Sequence, residues 1–132
     1  MTYQNLLPRL IVSDANAAID FYRKAFGAEE VARFADDDGK IVHAELRFGS
    51  VAITLKDEDP GSPDMGPAGL EGSPVILTLY VSDADTASAQ LEGAGATVVF
   101  PVGDSPYGRM GRLRDPFGHV WMLHQDPPDF AG

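Results

Sequence analysis

The tetrapeptide Val12-Ser13-Asp14-Ala15 recurs unchanged as Val81-Ser82-Asp83-Ala84, 69 residues further along the chain. Gly27-Ala28 recurs as Gly95-Ala96 at an offset of 68, and Phe48-Gly49 as Phe117-Gly118 at 69. Three matches in the same order at one near-constant offset mark a duplicated unit. Whatever the chain folds into must therefore be built twice from the same plan.

Each repeated piece is also a local structural signal. Ser13-Asp14 offers a helix N-cap, because the Asp side chain accepts from the free N–H groups of a first turn. Ala15, Ala18, Ile19, Tyr22, Ala25 and Phe26 follow at three- and four-residue steps, which predicts an amphipathic helix with Tyr22 and Phe26 on its core face. Gly27 supplies its left-handed stop. Gln4–Val12 reads as a strand with Pro8 at its edge or start, Glu29–Ala35 as a second, and Asp38-Gly39 as a hairpin turn. In Ile41–Phe48 the residues Val42, Ala44, Leu46 and Phe48 form an apolar face opposite Ile41, His43, Glu45 and Arg47, and Val51–Leu55 is a further strand. The second unit repeats the order. It has a strand at Pro74–Val81, a helix with Ala84, Ala87, Ser88 and Leu91 on one face, a strand at Thr97–Val102 and a last hairpin turning at Asp115–Gly118. Trp121 shares the parity of Leu123 and is expected in the core.

The expected fold is α+β: two βαβββ repeats forming a curved, half-open mixed sheet with helices on the convex side. Repeat one covers 4–57, a Gly- and Pro-rich linker 58–73, and repeat two 74–126, all in a single domain of ordinary size. The tail Pro127-Pro128-Asp129 is expected to fray.

Composition removes several function classes. Twenty acidic against ten basic residues give a net charge of −10, which disfavours nucleic acid and anionic membrane surfaces as partners. No apolar run approaches the ~20 residues of a membrane helix, and MTYQNLLPRL lacks a signal-peptide pattern. With no cysteine there is no disulfide, thiolate site or cysteine nucleophile, so a cytoplasmic location is the expectation. The acidic clusters Asp36–Asp38 and Asp57–Asp59 flank turn signals and read as solvated loop charge. Gly93–Thr97 follows a helix and precedes a strand, the reverse of a dinucleotide-binding turn.

Asp14–Ala28 (D-A-x-x-A-I-D-F-Y-x-x-A-F-G-A), His43–Arg47 (H-A-E-L-R) and Asp115–Trp121 (D-P-F-G-H-x-W), set within the repeated βαβββ pattern, resemble the glyoxalase/bleomycin-resistance/extradiol-dioxygenase superfamily, the vicinal oxygen chelate fold. That resemblance covers nearly the whole chain. It implies the fold but leaves the activity open, since such proteins include isomerases, dioxygenases, thiol transferases and passive drug binders. Metal-dependent members place a His or Glu on the first and last strand of each repeat. Those positions fall here at Leu7 (or Pro8), Thr54 (or Ile53), Ile76 and Met122. None is an imidazole or carboxylate, so the resemblance implies a metal-site-lacking bacterial subgroup with no cofactor, and argues against glyoxalase I or ring-cleaving chemistry. His119 and His124 stand five apart, on opposite faces of a regular strand, and do not make a joint site.

If Val42, Ala44 and Leu46 face the helix, then His43, Glu45 and Arg47 face the cleft. The 69-residue offset sets Arg112 against His43 and Arg114 against Glu45. The candidate cleft thus holds His43 and Glu45 as potential catalytic groups. Its candidate ligand-binding residues are Arg47, Arg112, Arg114 and His124, with Leu7, Ile76 and Met122 as an apolar floor and Tyr107 and Arg109 as a lid. Each polar residue also has a structural reading, as a cross-sheet hydrogen bond or a neutralising ion pair. Three functions fit. One is a metal-free protein binding an aromatic or anionic small molecule. Another is a metal-independent lyase or isomerase with His43 as general base, oriented by Glu45, and Arg112 or Arg114 holding an oxyanion. The third is a non-catalytic structural or regulatory domain. The resemblance further implies a homodimer, with the cleft completed either within one chain or across two.

Overall fold

The computed structural model describes residues 1–70 and 72–128; Asp129 of the expected fraying tail lies outside them. The repeat becomes two like halves. The first contains β1 (Arg9–Val12), α1 (Ala15–Phe26), β2 (Glu29–Ala35), β3 (Ile41–Phe48) and β4 (Val51–Asp57). The second contains β5 (Ile76–Tyr80), α2 (Ala84–Ala94), β6 (Thr97–Ser105), β7 (Gly108–Arg114) and β8 (Val120–Gln125). Each half forms a four-stranded mixed sheet, ordered β1-β4-β3-β2 and β5-β8-β7-β6, curved and not closed. In both, the first and last strands pair in parallel and the rest antiparallel. No helix among the described residues is long and apolar enough to cross a membrane.

The repeated caps act as their sequence implies. Asp14 accepts from Ala17 N and Asp83 from Thr86 N, both at 3.1 Å, and Gly27 closes α1 at φ 66°. Helix α1 buries Ala15, Ala18, Ile19, Phe21, Tyr22 and Ala25. Phe21 widens the expected stripe because a second surface, Phe117 of the second half, packs against its outer side with ring centroids 6.2 Å apart.

One core serves both halves. Phe26 stacks on Phe48 of β3 at 4.6 Å and meets the edge of Trp121 of β8 at 4.9 Å. Tyr22 lies 5.8 Å from Trp121, and its hydroxyl donates to Asp115 at 2.5 Å. Asp115 is buried, yet all its acceptor capacity is used: Trp121 Nε1, Phe117 N and His119 N donate to it as well. The Asp115–Gly118 turn is therefore a structural joint between α1 and the second sheet.

Three local expectations change. Only Arg9–Val12 of the first apolar run is strand, so Pro8 and Leu7 precede β1. Ile41 is buried and Val42 is 43% exposed, the reverse of simple alternation. A register shift where β2 pairs with the start of β3 (Phe34↔His43, then Ala35↔Ile41) flips the parity there. The acidic clusters are not merely solvated. Asp57 accepts from Ala15 N and Ile41 N at 2.7 Å each, tying α1, β3 and β4 together, and Asp36 accepts from Asp38 N and Lys40 N in its hairpin.

The linker is also more ordered than its composition suggests. It makes a 3₁₀ turn at Pro67–Gly69 that lies directly on the Asp115–Gly118 turn. A Cβ on Gly118, whose φ is +90°, would stand 2.8 Å from Pro67 C and Ala68 N.

Candidate functional site

Residues that pair across a ladder share a face, so the register assembles the outer face of the second sheet row by row. One row runs Phe100, Arg112, Met122, Thr78 across β6, β7, β8 and β5. A second runs Thr97, Arg114, Val120, Ile76, and a third Gly103, Met110, His124, Tyr80. The helix side of the same sheet carries the buried Leu113, Trp121 and Leu123. The candidate residues Arg112, Arg114, Met122, His124 and Ile76 are thus brought together on one surface.

Their engagements differ. Arg114 Nη2 donates to Leu70 O at 2.8 Å, holding the linker. His124 Nε2 stands 3.3 Å from Asp126 Oδ1, and its ring lies 4.6 Å from that of Tyr80. The Arg112 guanidinium lies over the Phe100 ring, 5.3 Å from its centroid, and its buried Nε has no hydrogen-bond partner among the described residues. Tyr80 and Phe100 are exposed, at 71% and 58%. Sequence patterning singles out neither. The parity of Ile76, Thr78 and Tyr80 is a signal that could find Tyr80, whereas the register shifts in β6 hide Phe100.

The outer face of the first sheet carries the other candidates. His43 Nδ1 is 2.8 Å from Arg9 Nη1. A guanidinium can only donate, so Nδ1 accepts and its lone pair is engaged. Glu45 accepts from Arg47 Nε at 2.8 Å rather than contacting His43. Arg109 sits away from both groups, forked onto Asp85 of α2 and also bonded to Asp104, which keeps its guanidinium firmly protonated. Tyr107 is exposed at the tip of the β6–β7 hairpin, and Leu7 lies in a groove beside β5.

Within one chain no described cavity gathers the candidate polar groups of both outer faces. The halves join mainly through α1, α2 and the linker, and among the described residues no strand of one sheet packs closely along a strand of the other. Three cavities of roughly similar size, about 340 to 360 Å³, follow β5 along its length. Their β5-side linings step from Val75 and Leu77, through Leu77–Leu79, to Leu79–Val81. None is lined by His43, Glu45, Arg47, Arg112, Arg114 or Met122.

The positions at which metal-dependent relatives bear ligands do not fit a divalent cation. Leu7 and Ile76 offer no donor, Met122 offers a thioether, and the Thr54 hydroxyl already donates to Pro8 O at 2.8 Å. No group of three or more His, Asp or Glu side chains among the described residues is placed to hold a metal.

Fold, repeat and the Asp115–Trp121 turn together define the class. Residues 6–123 match the family model of the Glyoxalase/Bleomycin resistance protein/Dioxygenase superfamily, and the chain belongs to that superfamily. A protein of Mycobacterium tuberculosis is 45% identical over 124 residues, covering 91% of this chain and 73% of that one. A crystal structure of a Pseudomonas aeruginosa protein superposes with a TM-score of 0.73 at 27% identity, covering 94% of this chain and 98% of the other. TnmS3, an antibiotic binding protein from Streptomyces, gives 0.72 at 28% identity, with 96% and 99% covered.

Proposed function

We propose that this chain is a metal-free small-molecule-binding protein, acting in the cytoplasm as a homodimer, with its ligand held against the outer face of the second sheet. The observation that carries this reading is the make-up of that face. Its rows contain no carboxylate, although the chain has 20 acidic residues against 10 basic ones. Instead they expose Ile76, Tyr80 and Phe100 around two guanidiniums and an imidazole. A large apolar and aromatic surface with a few fixed polar groups is what a small-molecule site needs, and plain water does not require it. The likeness to TnmS3, described as an antibiotic binding protein, supports the same reading.

The open geometry supports the homodimer. A curved sheet left open binds weakly unless something encloses the ligand, and the outer face of the first sheet, with Glu45, Arg47 and His43, is a fitting opposite wall when supplied by a second copy. Light scattering should give twice the chain mass, and a thermal-shift screen of aromatic natural products should find compounds that raise the melting temperature with or without chelator. A monomer at tens of micromolar would sink the dimer. A broad screen without a single stabilising compound, or tightly bound stoichiometric metal, would sink the metal-free binding reading.

A further inference from the structure

We infer that the second sheet's outer face selects aromatic carboxylates, with Arg112 as the anion-binding group and Phe100 as the platform for the ring. The inference rests on the reading of this face as a ligand-binding surface and names the ligand's class.

Arg112 is set apart from the other arginines near the sheet faces. Arg9, Arg47 and Arg109 are each engaged by an imidazole or carboxylate, and Arg114 by backbone carbonyls of the linker. The Arg112 Nε has no hydrogen-bond partner among the described residues and is shut off from solvent. A partly buried guanidinium without an anion carries an uncompensated desolvation cost, and such a group is the strongest available attractor for one. Its planar fork matches a carboxylate in a bidentate pair, a geometry that an alcohol or an amine does not reproduce.

The neighbours define the rest of the molecule. Cross-strand partners Phe100 and Met122 flank Arg112, Thr78 lies beyond Met122, and the Tyr80 ring lies one row away beside His124. Phe100 already carries the guanidinium near its ring, so an aromatic carboxylate laid alongside can stack on exposed Phe100 while its carboxylate reaches Arg112. Thioether and aromatic side chains adapt to flat rings of different outline. The row through Arg112 contains no carboxylate, and the Asp126 carboxylate one row away stands against His124, so no acidic group engages Arg112 itself, even though the chain's charge of −10 disfavours anions at a distance. A cationic aromatic would face an uncompensated arginine.

Calorimetric titration of the intact protein with three naphthalene probes tests this: naphthoate, the neutral naphthylmethanol and the cationic naphthylmethylamine. Naphthoate should bind about tenfold to a hundredfold more tightly than either isostere, the range expected for one charged hydrogen-bonded pair. Arg112→Gln should erase that advantage, and Phe100→Ala, at an exposed ring, should weaken all three probes alike. Equal affinities for acid and alcohol in the unmodified protein would overturn the inference. So would undiminished naphthoate binding by a folded Arg112→Gln variant. Binding of none of the probes would discard the aromatic-carboxylate class, whereas only failure of the broader compound screen would discard small-molecule binding itself.

Discussion

Asp115 is the residue on which most of the chain's internal order converges. Its carboxylate accepts from two side chains and two backbone N–H groups while only 4% exposed. Asp115→Ala would strand all four donors in the core. Each unsatisfied donor costs about 1–3 kcal/mol, so a loss of roughly 3 kcal/mol or more is expected in urea unfolding. The same joint sets an alkaline limit. Burial, and then the Asp115 charge, hold the Tyr22 phenol well above its ordinary value of 10.0. The raised value means that the native state keeps the proton when the unfolded chain releases it. Stability from this group is complete below pH about 10 and is lost as pH rises toward the folded value. Tyr22→Phe should flatten the decline in melting temperature above pH 10, and an unchanged slope would show that the phenol does not control it.

Among elements, the two Phe-Gly turns separate what the repeat shares from what one half added. Gly49 and Gly118 both have positive φ, at 57° and 90°. A Cβ on Gly49 would meet nothing within 4 Å, whereas one on Gly118 would strike the linker backbone at 2.8 Å. Gly49→Ala should cost about 1–2 kcal/mol, the strain of a left-handed alanine alone. Gly118→Ala should cost clearly more and should raise proteolysis within 58–73, because the Pro67–Gly69 turn must lift away. Equal costs would mean that the linker is not braced there.

For the whole molecule, the sheet edges are unequal. Strand β2 has charges and register shifts, β6 has Pro101 and its own shifts, and β1 gives its Ile11 carbonyl to His119 Nε2 at 2.9 Å. Strand β5 reads ILTLY, with no charge, proline or bulge, beside a groove that follows its whole length. Uncovered edges of that kind invite pairing with another chain. In the proposed dimer the second copy lies against the outer face of this sheet, where Thr78 is the central β5 position. Thr78→Lys, at an exposed outer-face position, should therefore shift the protein toward monomer in sedimentation experiments with little change in far-UV circular dichroism. A dimer that tolerates the lysine would place the contact elsewhere.

Much of this is legible in the order of amino acids alone. The 69-residue offset, the two Asp caps and the alternation in the strands act over neighbouring residues, where backbone geometry and side-chain periodicity leave few choices. They determine two βαβββ units, the helix faces, the burial of Trp121 and the grouping of Arg112, Arg114, Met122 and His124 on one surface. Parity fails at register shifts, which is why it turns Val42 inward and passes over Phe100. Partners are not determined in this way. Arg9 taking His43 Nδ1, Glu45 choosing Arg47, and Arg109 leaving the site for Asp85 are matters of position between strands and helices far apart in the chain. Nor does residue order reveal that the candidate polar groups of the two outer faces line no common described cavity, since that depends on how α1 wedges between both sheets through Tyr22 and Phe26. Local order follows from short-range sterics and hydrogen bonding. The facing of one half against the other depends on the packing of a shared core, and only the tertiary structure decides it.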